Sequence, residues 1–479
     1  MRTPEEYKKS LREMRPNLYK FGELIVDVTT HPATRRSVEA HAKIFALAHD
    51  PKYRDVVTTI SSLTGRRISR YLSIIQKPED MVANVKMKRL MFNLVGTCTG
   101  GRCVGWNCVN AMWATTYEMD QELGTEYHKR LRSWLVDAQE RDITLAGALN
   151  NPRGDRTLSP SEQKDPDMSL HVVEENNDGL VVRGAKTMIA GVAAANEVFV
   201  MPETGYKERD KDYALSFVVP RDVEGLTIVE ARHPSDKRDF EEGFDNPVET
   251  GITQAYLFFE DVFIPKERVF MCGEYEYSGR AVNYFIMPYR SAIGGCVAGQ
   301  GDVIIGASIA IARANGLSEK VFREKLVRMV VNNETTYGLG LAAAVLGEKH
   351  PSGLWLCNPL LANVNKVQVA RLPYETKLLA QEIGGGIVET GCMPSHRDFV
   401  DPRYGKLVRK YLKACAPAET RVRMARLIEW LTVGAGIPGC MHGGGSPDAA
   451  KIVIRRSFDF ERCVELANRL AGVGNEAKS

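Results

Sequence analysis

Between about residues 142 and 270 the chain carries short alternating apolar runs broken by turn signals, with long helical periodicities on either side. A period of two puts successive side chains on opposite faces, so this stretch reads as strands. Leu170-His171-Val172-Val173 passes through Asn176-Asn177-Asp178-Gly179 into Leu180-Val181-Val182, which is a hairpin signal. Glu197 to Met201, Ala214 to Val219, Leu226 to Val229 and Ala255 to Phe259 repeat the pattern. Six or so strands with no helix between them predict a β-barrel or a sandwich.

The flanks read as helix. Thr3 is an N-cap candidate with Pro4 at the first helical position and Glu5 and Glu6 in the first turn. Apolar periodicity predicts further helices over 33–49, 78–93 and 111–140, and then over 299–314, 319–346, 360–382, 418–433 and 448–470. The order predicts an α+β chain of three units: 1–141, an N-terminal helical domain; 142–275, a middle β-barrel domain; and 276–479, a C-terminal helical bundle domain. A length of 479 residues suits two to four units.

Composition narrows the function classes. With 63 basic and 60 acidic residues the net charge is +3, which argues against a dedicated nucleic-acid binder. An apolar fraction of 44% supports a large core and excludes disorder as the main state. The first nine residues are charged and show no signal-peptide core, and no continuous apolar run predicts a membrane span. Ten cysteines are too few for a disulfide scaffold. The expectation is a cytoplasmic protein with reduced thiols, bound neither to nucleic acid nor to membrane.

Three segments carry candidate chemistry. Thr97-Cys98-Thr99-Gly100-Gly101-Arg102-Cys103-Val104-Gly105-Trp106-Asn107-Cys108 gathers three thiols in a Gly-rich stretch, and Cys296 follows Gly294-Gly295. Such thiols can ligate iron or zinc, although the spacing fits no standard motif; small buried residues in a tight turn would look the same. Asn150-Asn151-Pro152-Arg153-Gly154-Asp155-Arg156-Thr157 can offer guanidinium and backbone N–H groups to phosphate or flavin oxygens, or be a polar turn. Met441-His442-Gly443-Gly444-Gly445-Ser446-Pro447 precedes a helix, where a Gly-rich backbone can approach a diphosphate or simply serve as a linker. No dinucleotide fingerprint, Walker A, H-E-x-x-H or G-x-S-x-G motif is present.

Ser159-Pro160-Ser161-Glu162-Gln163-Lys164-Asp165-Pro166, Gly184-Ala185-Lys186, Phe259-Glu260-Asp261-Val262-Phe263-Ile264-Pro265 and Asn358-Pro359-Leu360-Leu361-Ala362-Asn363 complete the set. Together with the Arg153 segment they resemble the flavoprotein family that groups 4-hydroxyphenylacetate 3-hydroxylases with 4-hydroxybutyryl-CoA dehydratases, over nearly the whole chain. The resemblance implies an acyl-CoA dehydrogenase-like fold, FAD and a homotetramer. It implies cofactor-binding roles for Arg153, Gly154, Asp155, Arg156, Ala190, Gly443, Gly444, Gly445, Ser446 and Pro447, with Ala190 in the slot of a flavin-contacting Thr. Arg102-Cys103-Val104-Gly105, Asp398-Phe399 and the 443–447 loop resemble the dehydratase branch, and Gly147 occupies the slot where the hydroxylases carry a substrate-contacting His.

The same branch implies a 4Fe–4S cluster on three cysteines and a histidine. Cys98, Cys103 and Cys296 fall on or beside the cysteine positions, but Tyr289 stands in the histidine slot. Ile293, Val297 and Gly439 replace the branch's Tyr, Lys and Glu, so the catalytic residues cannot be assigned. The expectation is an FAD-dependent enzyme acting on a small-molecule acyl-CoA by dehydration, isomerisation or desaturation, and a flavin-only protein with buried thiols is favoured over one with a cluster. The alternatives are a two-component flavin monooxygenase acting on a phenol and a catalytically diverged paralog.

Overall fold

The computed structural model describes residues 1–96, 98, 100–232, 236, 241–434 and 443–473. The strands before the C-terminal helices are β1 (Leu18–Lys20), β2 (Glu23–Ile25), β3 (Thr58–Ile60), β4 (Arg67–Ser69), β5 (Leu145–Ala148), β6 (His171–Glu175), β7 (Gly179–Ala190), β8 (Glu197–Val200), β9 (Leu215–Pro220), β10 (Leu226–Glu230), β11 (Gln254–Pro265) and β12 (Val269–Cys272). The hairpin expected at Asn176 joins β6 to β7. In place of one closed barrel, the middle strands form two sheets, one of order β2-β1-β10-β11-β7-β6 and one of order β12-β9-β8-β5. The sheets share a core in which Leu180, Val182, Leu257 and Ile264 meet Val198, Val200 and Phe217. The Phe217 and Phe259 rings meet edge to face at 6.1 Å. β1 comes from the N-terminal segment, runs parallel to β10 and pairs Leu18 with Ile228.

The first helix is Pro4–Arg12, and Thr3 closes a capping box in which Glu6 reaches back to the Thr3 N–H at 2.7 Å. Pro32–His49 and Pro78–Val95 fall where the periodicity placed them. The helix expected over 111–140 is two helices, Gly100–Leu123 and Tyr127–Arg141, separated at Gly124, whose φ of +71° few other residues adopt. The first of these begins at Gly100, so Cys103 and Cys108 lie on a helix and not in a Gly-rich loop.

The C-terminal block is built on one 40-residue helix, Tyr275–Ala314, which packs against Pro78–Val95, Gly100–Leu123, Arg323–Val345 and Pro359–Val369. Its small residues make that approach possible. A Cβ on Gly295 would strike the Val85 carbonyl, and one on Gly294 the Thr336 carbonyl. By length and composition this helix could cross a membrane, although no continuous apolar run marks it in the sequence; most of its apolar window is buried inside the protein. Leu372–Gly384 and Ala418–Glu429 complete this core. The last expected helix is split into Pro447–Ser457 and Phe460–Ala471, and the second is exposed throughout.

Candidate functional site

The loop after β5 is anchored from β7. Lys186 Nζ donates to the carbonyls of Leu149, at 2.7 Å, and Met201, at 3.2 Å. The Thr187 N–H donates to the Asn150 carbonyl at 2.8 Å, and its hydroxyl to that of Asn151 at 3.2 Å. Two consecutive residues of one strand bury their side chains here because β7 is irregular. Met188 has φ +56°, and the register with β11 shifts between Ala255 and Leu257. Burial lowers the Lys186 ammonium to about 7.

Asn151 donates from Nδ2 to the Tyr206 hydroxyl at 2.9 Å, while its buried Oδ1 has no partner among the described residues. Arg153 pairs with Glu203. Gly154 has φ +47°, and Gln163 Oε1 fills the place of a Cβ, so only glycine fits. The Asp155 carboxylate accepts from the Thr157 N–H at 2.9 Å and hydroxyl at 2.7 Å, which shapes the turn itself. Arg156 makes no hydrogen bond or ion pair among the described residues, and its charge lies close enough to Arg153 to disfavour that guanidinium.

The 443–447 loop sits on the C-terminal helices. Arg290 Nε donates to the Gly444 carbonyl at 2.9 Å, and Lys366 Nζ to the Gly443 carbonyl at 2.7 Å. Gly444 (φ +71°) and Gly445 (φ +89°) leave no room for side chains, because a Cβ would lie 2.7 Å from Tyr289 Cδ1 and 3.0 Å from Arg290 Nη2. Ser446 caps the next helix, its hydroxyl accepting from Ala449 N–H at 3.1 Å, and Pro447 takes the first helical position. No hydrogen bond or ion pair among the described residues joins this loop to the one around Arg153. Gly439, Met441 and His442 lie outside the described residues.

Cys98 lies beside the end of β7. Ala190 Cβ and Cys98 Sγ are 3.2 and 3.6 Å from the position a Cβ would take on Gly100. Cys103 occupies the first turn of the Gly100–Leu123 helix, with Sγ 3.3 Å from the Gly100 carbonyl. Lys88, buried on the Pro78–Val95 helix, hydrogen-bonds Cys103, and its Nζ is 5.9 Å from the Tyr289 ring. Burial alone would discharge this lysine; the neighbouring sulfurs of Cys103 and Cys296 favour its charged form instead. The Cys98 thiol donates to Cys103, which pushes Cys98 up. The same hydrogen bond, helped by Lys88, brings Cys103 down to about 6 against the opposing effect of burial.

The residues do not fit the cluster that the resemblance implies. Tyr289 turns its ring onto Phe285, at 5.4 Å and nearly parallel, and against Gly444. Ile293 and Val297 form an apolar patch with Val369 and Tyr289. A lysine ammonium is directed at Cys103, where a further donor would have to be an electron pair. Among the described residues no three His, Cys, Asp or Glu side chains converge as a metal-binding group. Cys108 faces away, toward Gly147, and burial pushes its thiol up.

Sequence reasoning did not single out Lys88. Its signal was a lysine at a core position, one turn from Val85 and Met91 on the buried face of its helix. Lys186 lay within a quoted motif, but only the structure shows what it holds.

Models of the 4-hydroxyphenylacetate 3-hydroxylase N-terminal and C-terminal regions match residues 3–271 and 278–472. The chain is 40% identical to the 4-hydroxybutyryl-CoA dehydratase/vinylacetyl-CoA-Delta-isomerase of Clostridium aminobutyricum, over 98% of its own length and 99% of the relative's. It is 28% identical to the oxygenase component of 4-hydroxyphenylacetate 3-monooxygenase from Thermus thermophilus, over 89% and 87%. Among solved structures, an oxygen-tolerant 4-hydroxybutyryl-CoA dehydratase from N. maritimus matches with a TM-score of 0.96 and 37% identity, covering 100% of this chain and 96% of that one. The site loops, the two-sheet middle block and these matches agree: the chain belongs to the 4-hydroxyphenylacetate 3-hydroxylase family.

Proposed function

We propose that this protein is an FAD-dependent enzyme acting on a CoA thioester, by dehydration, double-bond isomerisation or C–C desaturation. The observation that carries this reading over phenol hydroxylation is Gly147. A Cβ there would lie 2.6 Å from Val104 Cγ1 and 2.8 Å from Cys108 Sγ, so no imidazole can stand where the hydroxylase branch needs one. The whole-length likeness to two 4-hydroxybutyryl-CoA dehydratases supports the same choice.

The residues fit a flavin dinucleotide. Arg156 and Arg153 present adjacent guanidiniums suited to a diphosphate, and the orphan Oδ1 of Asn151 is a buried acceptor awaiting a donor. FAD, when bound, supplies hydride or single-electron exchange with substrate carbons. The chain's own part is to hold the Arg153 loop rigid through Lys186 and Thr187, and to keep the Ile293, Val297 and Val369 patch dry. A departing hydroxide needs a proton donor, and the Tyr289 phenol packs on that patch.

The two cofactor loops, which no hydrogen bond or ion pair joins among the described residues, would meet across a subunit boundary in a homotetramer of three-unit subunits (1–141, 142–275 and 276–479) with the acyl-CoA dehydrogenase-like arrangement. The free thiols of the described cysteines suit the cytoplasm. Flavin binding followed by ligand titration tests the reading. A short acyl-CoA should perturb the bound flavin's visible spectrum, and 4-hydroxyphenylacetate should not. The reverse pattern would favour the hydroxylase alternative.

A further inference from the structure

We propose that the outer face of β7 and β11, where Met188, Tyr256 and Phe258 stand, is the wall on which the isoalloxazine ring of the flavin lies. The inference rests on the FAD reading and deepens it: the Arg153 loop holds the diphosphate, and this face holds the ring.

An antiparallel sheet with one solvated face turns polar side chains outward. Along β11 the outer positions are aromatic instead. Ala255, Leu257 and Phe259 point into the core and are at most 1% exposed, whereas Tyr256 and Phe258 are 38% and 39% exposed. Their rings are nearly parallel, at 16°, with centroids 6.5 Å apart. Rings aligned in this way offer a stacking surface to a planar aromatic molecule. Met188, 47% exposed, extends the surface from β7. The register runs from Ala255–Ile189 to Leu257–Lys186, so Thr187 and Met188 together oppose Tyr256. A bulge of this kind re-aims a side chain. It holds Met188 at φ +56°, a conformation that residues other than glycine seldom adopt. Such strain collects at ligand sites, and here it presents an apolar side chain to solvent instead of to the core.

The occupant follows from what borders the wall. Thr187, the other residue of the bulge, donates to the Asn150 and Asn151 carbonyls, so Met188 adjoins the loop that carries Arg153 and Arg156. The chain from Asn150 to Arg153 spans at most about 11 Å. FAD has the matching order of parts: a diphosphate, a short ribityl chain and a planar apolar ring system. β7 then ends at Ala190, beside Gly100 and Cys98, so one strand borders both the loop and the start of the Gly100–Leu123 helix.

The test titrates the full chain, freed of flavin, with FAD. Met188→Ser should weaken binding roughly tenfold, as loss of one covered apolar side chain does. Tyr256→Leu should raise the fluorescence of the bound flavin severalfold, because a stacked phenol quenches the excited ring by electron transfer; a merely structural role would not move that yield. Phe21→Ser, which removes a 62% exposed ring from the turn between β1 and β2, should change neither quantity. Affinity and fluorescence unchanged in both wall variants, with affinity still lost in Arg156→Ala, would overturn the wall and leave the FAD reading standing. A smaller oligomer by light scattering in the wall variants, with flavin binding intact, would assign the face to a second copy and overturn the proposal too. No FAD binding by the unsubstituted chain would overturn both.

Discussion

Arg290 on the Tyr275–Ala314 helix donates its Nε to the carbonyl of Gly444 at 2.9 Å and ties the 443–447 loop to the core of the C-terminal block. Its other end bonds Asn363, and burial lowers the guanidinium to about 10, so the residue is held at a desolvation cost that its hydrogen bonds offset. Arg290→Leu should free the loop, costing about 1.5–3 kcal/mol of stability and weakening flavin binding with it. Thermal unfolding and flavin fluorescence titration read both effects.

Arg156 differs, because it bonds nothing within the described residues. Arg156→Ala should leave the melting temperature unchanged while raising the flavin dissociation constant roughly tenfold or more, as expected for one charge-assisted contact. An unchanged flavin affinity would remove Arg156 from the site.

Lys186 predicts a pH dependence. Burial lowers it to about 7 in the folded chain, whereas an exposed lysine titrates near ~10.4. Between those values the unfolded state binds more protons, so this residue makes stability rise with pH across the window and fall again toward pH ~7. Lys186→Met should flatten that slope relative to the parent in denaturant unfolding at a series of pH values.

Glu230 predicts the opposite slope. Its Oε1 accepts from the Thr253 hydroxyl at 3.1 Å, its buried Oε2 has no partner among the described residues, and burial raises the carboxyl to about 8 despite Lys20 and Arg221. The native state binds the extra proton between pH ~4.3 and ~8, so stability falls as pH rises through that window. Glu230→Gln should abolish this fall and be at least as stable as the parent at pH ~7. A steeper fall in the variant would show that the carboxylate is stabilised in place.

The order of helices, strands and helices was legible because hydrophobic periodicity records which faces are buried. Whether the strands close into a barrel is not written in that pattern. β1 and β2, three residues each, are too short to show any period. The Arg153 and Gly443 segments were legible as turns because Gly, Asp and Ser-Pro set the backbone locally. The helix at Gly100 was not, since Gly100, Gly101 and Gly105 argue against a helix by propensity. They are glycine because Gly101 packs on Gly191 and Gly105 on the Leu145 carbonyl, contacts from distant parts of the chain. Lys88 stayed hidden for a related reason: its partners lie on two other helices, and a lysine on a helix is most often solvated.

We infer that the chain transforms a CoA thioester on bound flavin. The most direct measurement is anaerobic incubation of the flavin-loaded protein with 4-hydroxybutyryl-CoA, vinylacetyl-CoA and a saturated short-chain acyl-CoA, with products resolved by mass spectrometry. Conversion of at least one thioester, lost in Arg156→Ala, is predicted. No thioester turnover, together with oxygenation of 4-hydroxyphenylacetate when reduced flavin and O₂ are supplied, would contradict the account.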